Sequence, residues 1–129
     1  MPFVDAARTF LEDPGELAED ENLDMMNDTI GYLLANAIGL ENAKSTDTII
    51  EFLNEQGHEI NRHQWEIAVL GKLREEGIFI ASHRTKGMYL IKTKDEADRF
   101  YLQYAKRIAK QNFRLNFLRA LIDSGNWEN

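Results

Sequence analysis

The stretch from Asn61 to Thr93, NRHQWEIAVLGKLREEGIFIASHRTKGMYLIKT, leaves this chain few folds to choose from. Asn61 and Gln64 stand at capping-box spacing, so a helix opens there. Trp65, Val69, Leu70 and Leu73 then recur on one helical face. Gly77 follows as the stop, because a residue without Cβ enters the left-handed region cheaply. Ile78–Ala81 and Met88–Ile91 read as two short apolar strands. The polar run Ser82-His83-Arg84-Thr85-Lys86-Gly87 between them reads as a hairpin loop with a turn glycine.

Upstream, two more helices are predicted. The first covers residues 24–38, with Met26, Ile30, Leu33, Leu34 and Ala37 at helical spacing and Gly39 as its end. The second covers residues 46–56, capped by Ser45, with Ile49, Ile50, Leu53 and Phe52 as its apolar set. Gly57 stops it, and His58-Glu59-Ile60 is a short turn in which Ile60 acts as an apolar plug. Helix, short turn, helix is the helix-turn-helix unit.

The segments LREEGIFIAS and KGMYLIKTKDEADRF resemble the second half of a winged helix-turn-helix domain, most closely that of small phage and prophage proteins. The resemblance spans roughly residues 24–122. It implies a mainly α fold with a small β-hairpin and a long C-terminal helix. Together with the residues that precede it, this gives an expected three-part chain: an acidic helical arm (1–23), a winged helix-turn-helix (24–93) and a C-terminal helix (94–129). A fold of this kind hosts many activities, so function has to be argued from particular residues.

The arm divides in two. Residues 3–11 fit a short amphipathic helix with Phe3, Ala7, Phe10 and Leu11 on one face. Glu12 to Asn22, with a Pro-Gly pair and six carboxylates, reads as a solvated connector, the alternative being an acidic arm that occupies a basic groove. Charge is split along the chain. Residues 1–57 hold thirteen acidic side chains against two basic ones, whereas residues 58–120 hold thirteen basic against seven acidic. The second half therefore suits a polyanion or an acidic partner, although long polar helices also alternate charge on solvated faces.

Catalysis finds little support. The three histidines, His58, His63 and His83, fall in the turn, the third helix and the wing. His63 and Glu66 are two possible ligands, too few for a metal site. There is no cysteine, no Gly-rich phosphate loop and no Gly-x-Ser-x-Gly elbow. A non-enzyme without cofactor or metal is expected. The absence of cysteine, of a secretory signal and of a long apolar run fits a cytoplasmic protein with no membrane segment.

Two functions follow as expectations. The resemblance implies binding of double-stranded DNA in replication or transcription control. Its candidate contacts are Asn61, Arg62, Gln64, Ala68 and Lys72 on the third helix, and His83, Arg84 and Lys86 on the wing. Yet Gln64, Ile67, Ala68, Gly71 and Glu75, the outward side of that helix, are smooth and lack a central cation. That favours the alternative: a protein-interaction module, an adaptor or inhibitor of a host nucleic-acid enzyme. Tyr89 and Tyr101 follow the apolar pattern of their elements and are assigned to the core.

Thr93 and Glu96 form a second capping box, and nothing interrupts a helix from Lys94 to about Ile122. Phe100, Tyr101, Tyr104 and Ile108 form a stripe expected to return onto the winged core. Phe113, Leu115, Phe117, Leu118, Leu121 and Ile122 make the far end apolar nearly all round. Pairing of two copies through these residues is expected, with Phe3, Phe10 and Leu11 folding over them as the competing arrangement.

Overall fold

The computed structural model describes residues 1–124. It is mainly helical. Helix α1 (Pro2–Glu12) is followed by a short 3₁₀ turn, Gly15–Leu17, and by α2 (Leu23–Asn36). A second 3₁₀ turn, Leu40–Asn42, leads to α3 (Thr46–Glu55). Helix α4 occupies residues 62–75, with α-helical turns Arg62–Trp65 and Lys72–Glu75 on either side of a π-helical segment, Glu66–Gly71. Strands β1 (Ala81–His83) and β2 (Gly87–Tyr89) form an antiparallel hairpin, and α5 (Lys94–Ser124) closes the described chain. Three helices followed by a hairpin is an order compatible with a winged helix.

The described chain forms two compact units, residues 1–96 and 97–124. In the first, α2, α3 and α4 bury Met26, Ile30, Leu33, Ile49, Leu53, Val69 and Leu73 around Trp65. The Trp65 indole N–H donates to Thr29 Oγ1 at 3.2 Å, both residues being fully buried. Thr29 is the one buried polar residue among those described, and it meets the donor that a buried tryptophan must satisfy.

Helix α1 joins this core rather than standing apart from it. Its buried face is Val4, Ala7 and Phe10, packed on α2. Phe3 is half-buried and Leu11 exposed, so the face is turned by one residue from the expected set. The acidic connector is also pinned. Leu17 is buried, and Asp20 accepts from Lys72 Nζ at 2.8 Å.

Local signals are met where backbone groups demand them. Asn61 and Gln64 form the expected reciprocal box, at 2.9 and 3.0 Å. Thr93 and Glu96 form the other, with Thr93 Oγ1 accepting from Glu96 N–H and Glu96 Oε1 accepting from Thr93 N–H. At the end of α4, Gly77 N–H donates to Arg74 C=O and Ile78 N–H to Leu73 C=O, with Gly77 at φ +80°. This is the Schellman arrangement, with buried Ile78 near Leu73 as its apolar partner.

The hairpin lies closer to its turn than expected. Ser82 and His83 are strand residues paired with Met88 and Gly87, so the loop is only Arg84-Thr85-Lys86. Tyr89 is buried, as predicted. A third segment extends the hairpin edge. Leu90 N–H donates to Ala37 C=O and Gly39 N–H to Leu90 C=O, both at 2.8 Å. Lys44 and Met88 exchange two main-chain bonds, of 2.9 and 2.7 Å. The Leu90 bonds explain why α2 stops at Asn36: the backbone at 37–39 is taken up by Leu90, the residue after β2.

In the second unit, no described residue of α5 is buried. Tyr101 is 71 % exposed, contrary to its assignment to the core. A tyrosine at helical spacing fits a core face by pattern, and only tertiary packing decides whether that face is covered.

Two stability predictions follow. Trp65→Ala should cost about 3–5 kcal/mol, as for large core truncations, and should lower the thermal midpoint without releasing any surface ligand. Gly87→Ala should be severely destabilising despite its small size. Gly87 has φ +106°, and an added Cβ would lie 2.2 Å from Lys44 C=O oxygen. Differential scanning calorimetry would check both; a Gly87→Ala protein melting like the parent would contradict the close approach.

Candidate nucleic-acid interface

The hairpin is fixed just before α3 through the Lys44–Met88 bonds, and Ser45, the next residue, caps α3 by accepting from Thr48 N–H at 3.1 Å. The start of α3 therefore faces the hairpin across a cleft of about 320 Å³. Its lining includes Ser45, Thr46, Asp47, Arg62, His83 and Arg84. A helix start presents unpaired N–H groups and a partial positive charge. Two arginines and an imidazole beside it make a place where an anionic oxygen can be held, with Asp47 as the opposing charge.

Within the hairpin, His83, the last residue of β1, closes the turn. Its Nδ1 accepts from the N–H groups of Thr85 and Lys86, each at 3.2 Å. In the neutral ring this puts the proton on Nε2, directed away from the turn. The loop is thereby ordered, and it carries Arg84 and Lys86 exposed. Neither of these two is in an ion pair with another described residue.

The third-helix candidates are placed less favourably. Asn61 and Gln64 use their side-chain oxygens on each other's backbone, leaving only the amide NH₂ groups for a ligand. Arg62 lines the cleft but also donates to Glu66 at 3.2 Å, an exposed pair one helical turn apart. Ala68 is half-buried. Lys72 is held by Asp20 across 52 residues of sequence. The structure thus brings Arg62, His83 and Arg84 together, with Lys86 on the adjoining turn, and leaves Asn61, Gln64, Ala68 and Lys72 outside the cleft.

Ser45, Thr46, Asp47 and Thr85 belong to the cleft without having been candidates for it. Ser45 carried only the signal of a helix cap. Its second role depends on the main-chain pairing of residue 44 with residue 88, which leaves no local sequence mark.

Next to the cleft the surface changes sign. The outer side of α3 bears Asp47, Glu51 and Glu55 at four-residue spacing, and α3 has no basic residue. On α4, Ile67 is 61 % exposed within the π-helical segment. Such segments often mark functional positions, since they widen the helix and re-aim its side chains. Comparison of the chain with protein-family models, curated proteins and solved structures finds no match. Among the described residues there is no group of three or more His, Cys, Asp or Glu able to hold a metal, and no helix long and apolar enough to cross a membrane.

Two carboxyls are tuned by their surroundings. Lys72 is the main reason that the Asp20 carboxyl lies below its ordinary 3.8, with the Asn22 N–H assisting. Burial pushes Glu96 up most strongly of any single influence. The N–H groups of Lys92, Leu40 and Thr93 together outweigh it and leave the group below its ordinary 4.5. Each carboxylate therefore stabilises the fold fully above its unfolded value and withdraws that support as pH falls through the lower folded-state value. Thermal melts should drop on acidification below about pH 4.5, and Glu96→Gln should make that drop shallower while lowering stability at pH 7. A Glu96→Gln protein with the parent's stability at both pH values would contradict the role of Glu96 in joining Leu40 to the start of α5.

Proposed function

We propose that this chain is a phage-type winged-helix protein that binds double-stranded DNA mainly through its phosphates, in replication or transcription control. The observation that carries the reading is the gathering of Arg62, His83 and Arg84 beside the start of α3, with exposed Lys86 on the same ordered wing turn. Cations on a wing hold phosphates or enter a minor groove, whereas base-specific readout needs polar side chains on the outer face of the third helix. Here the middle of that face offers Ile67, half-buried Ala68 and Gly71, between Gln64, whose side-chain oxygen is engaged in the capping box, and the carboxylate of Glu75. Binding of this kind displaces counterions and is weakly selective for sequence.

The α3 carboxylates and exposed Ile67 favour a second reading, a protein-interaction module facing a basic or apolar partner surface. One gel-shift series with random-sequence duplex DNA separates the two. On the DNA reading, micromolar protein shifts the duplex at about 50 mM salt and loses it steeply by about 200 mM. Arg84→Ala and Lys86→Ala should each weaken binding to all sequences alike and reduce the salt slope by about 1. Lys72→Ala, whose cation serves Asp20, should leave affinity unchanged and lower thermal stability. Absence of any shift at low salt would overturn the DNA reading in favour of the interaction module.

A further inference from the structure

Helix α5 is 31 residues long, about 46 Å at 1.5 Å per residue, and none of its described residues is buried. Tyr101, Ile108, Leu115 and Leu118 are all exposed, Leu115 by 63 %. Their spacing is not arbitrary. Tyr101, Tyr104, Ile108, Leu115, Leu118 and Ile122 fall at alternating intervals of three and four, or at a whole heptad, with Gln111 in the one remaining position. This is the a/d spacing of a coiled-coil seam over three heptads, with Gln111 as its one polar position, at d. Helices draw most of their stability from packing an apolar face, so a seam of this length is built to be covered.

Charge decides what covers it. From Arg99 to Arg119 the helix carries six cations and no carboxylate. Arg107 and Arg114 occupy g positions and Arg119 an e position, the places that set partner choice; Arg119 also donates to Asp123 one turn on, at 3.3 Å, in an exposed pair. In a parallel pair of identical helices, Arg114 of one copy would face Arg119 of the other, whose charge Asp123 offsets only in part because that pair is solvent-exposed. In an antiparallel pair, Arg107 and Arg114 would face each other. Self-pairing therefore meets repulsion in both orientations, although the apolar residues alone suggest it.

We propose that the seam of α5 takes a helix of another protein that carries apolar residues at a and d and carboxylates at e and g. The contact is a two-stranded heterotypic coiled coil. Its apolar layers supply the burial, and its flanking ion pairs select the partner against a second copy of this chain.

The test uses the full chain and a synthetic 28-residue peptide with leucine at a and d and glutamate at e and g, too acidic to pair with itself at neutral pH. Light scattering should show a monomeric protein that forms a one-to-one complex with the peptide. Circular dichroism should show a gain in helix on mixing. The complex should weaken at least tenfold between 50 and 500 mM salt, on the order expected for screening of flanking charges. Leu115→Asp should abolish it. The triple variant R107E/R114E/R119E should lose the acidic peptide and take its lysine counterpart. Retention of the parent's melting temperature would show that both variants keep the residue 1–96 unit folded. A protein that is already a dimer and ignores the peptide would overturn the proposal in favour of a second copy, and a triple variant that still prefers the acidic peptide would overturn the role of charge. No complex at 50 mM salt would overturn the seam itself.

Discussion

Two main-chain hydrogen bonds between Lys44 and Met88 decide where the hairpin can be. They tie the residue before the α3 cap to the middle of β2, and so set the start of one helix against the turn of the hairpin. The approach is close enough that residue 87 must be glycine, because a Cβ there would meet the Lys44 carbonyl. A hydrogen-bonded pair of this kind contributes about 1 kcal/mol per bond by itself. Its larger effect is geometric. It converts two separate polar segments, Ser45–Asp47 and His83–Thr85, into the facing walls of one cleft.

The core supports that placement from the other side. Trp65 sits at the first turn of α4 and bonds Thr29 on α2, so the start of α4 is held within the three-helix core. Arg62, three residues earlier, is carried to the cleft as a consequence. His58 Nε2 and Asp28 Oδ2, 2.6 Å apart, fasten the turn between α3 and α4 to α2 as well. The candidate interface is therefore assembled from rigid elements. Its one projecting loop is ordered by His83, whose side chain closes the turn before it can serve any ligand.

How much of this could be read beforehand follows from the range of each interaction. Both capping boxes, the Gly77 stop and the apolar set of α4 are local, and the sequence states them in adjacent residues. The hairpin was legible as an element, but its register was not, because Ser82 and His83 look like loop residues until the pairing with Met88 and Gly87 is known. Lys72 looked like a candidate for DNA because its partner, Asp20, lies 52 residues away in a stretch that reads as a solvated connector. The π-helical turns of α4 also had no visible signal. Residues 65, 69, 70 and 73 satisfy an ordinary helical period, and the burial of all four agrees with it.

The same long-range pairing explains why net charge is a poor guide to the partner. The basic half of the sequence is not a basic surface. Lys72 serves Asp20, Arg62 is shared with Glu66, and Lys92 lies 3.4 Å from Glu41, so three of its cations answer carboxylates of the same compact unit. What remains for an external anion is concentrated on the hairpin turn, while α5 carries its cations from Arg99 to Arg114 with no carboxylate among them and shares Arg119 with Asp123. These are different kinds of positive surface. On the wing, two flexible cations on a narrow turn suit phosphate groups, which need little apolar contact. On α5, the cations flank an apolar seam, and a polyanion would leave that seam uncovered. A helix with acidic edges would satisfy both features at once. The split in charge along the sequence thus resolves into two surfaces with different demands, and each can be removed by substitutions that leave the other intact.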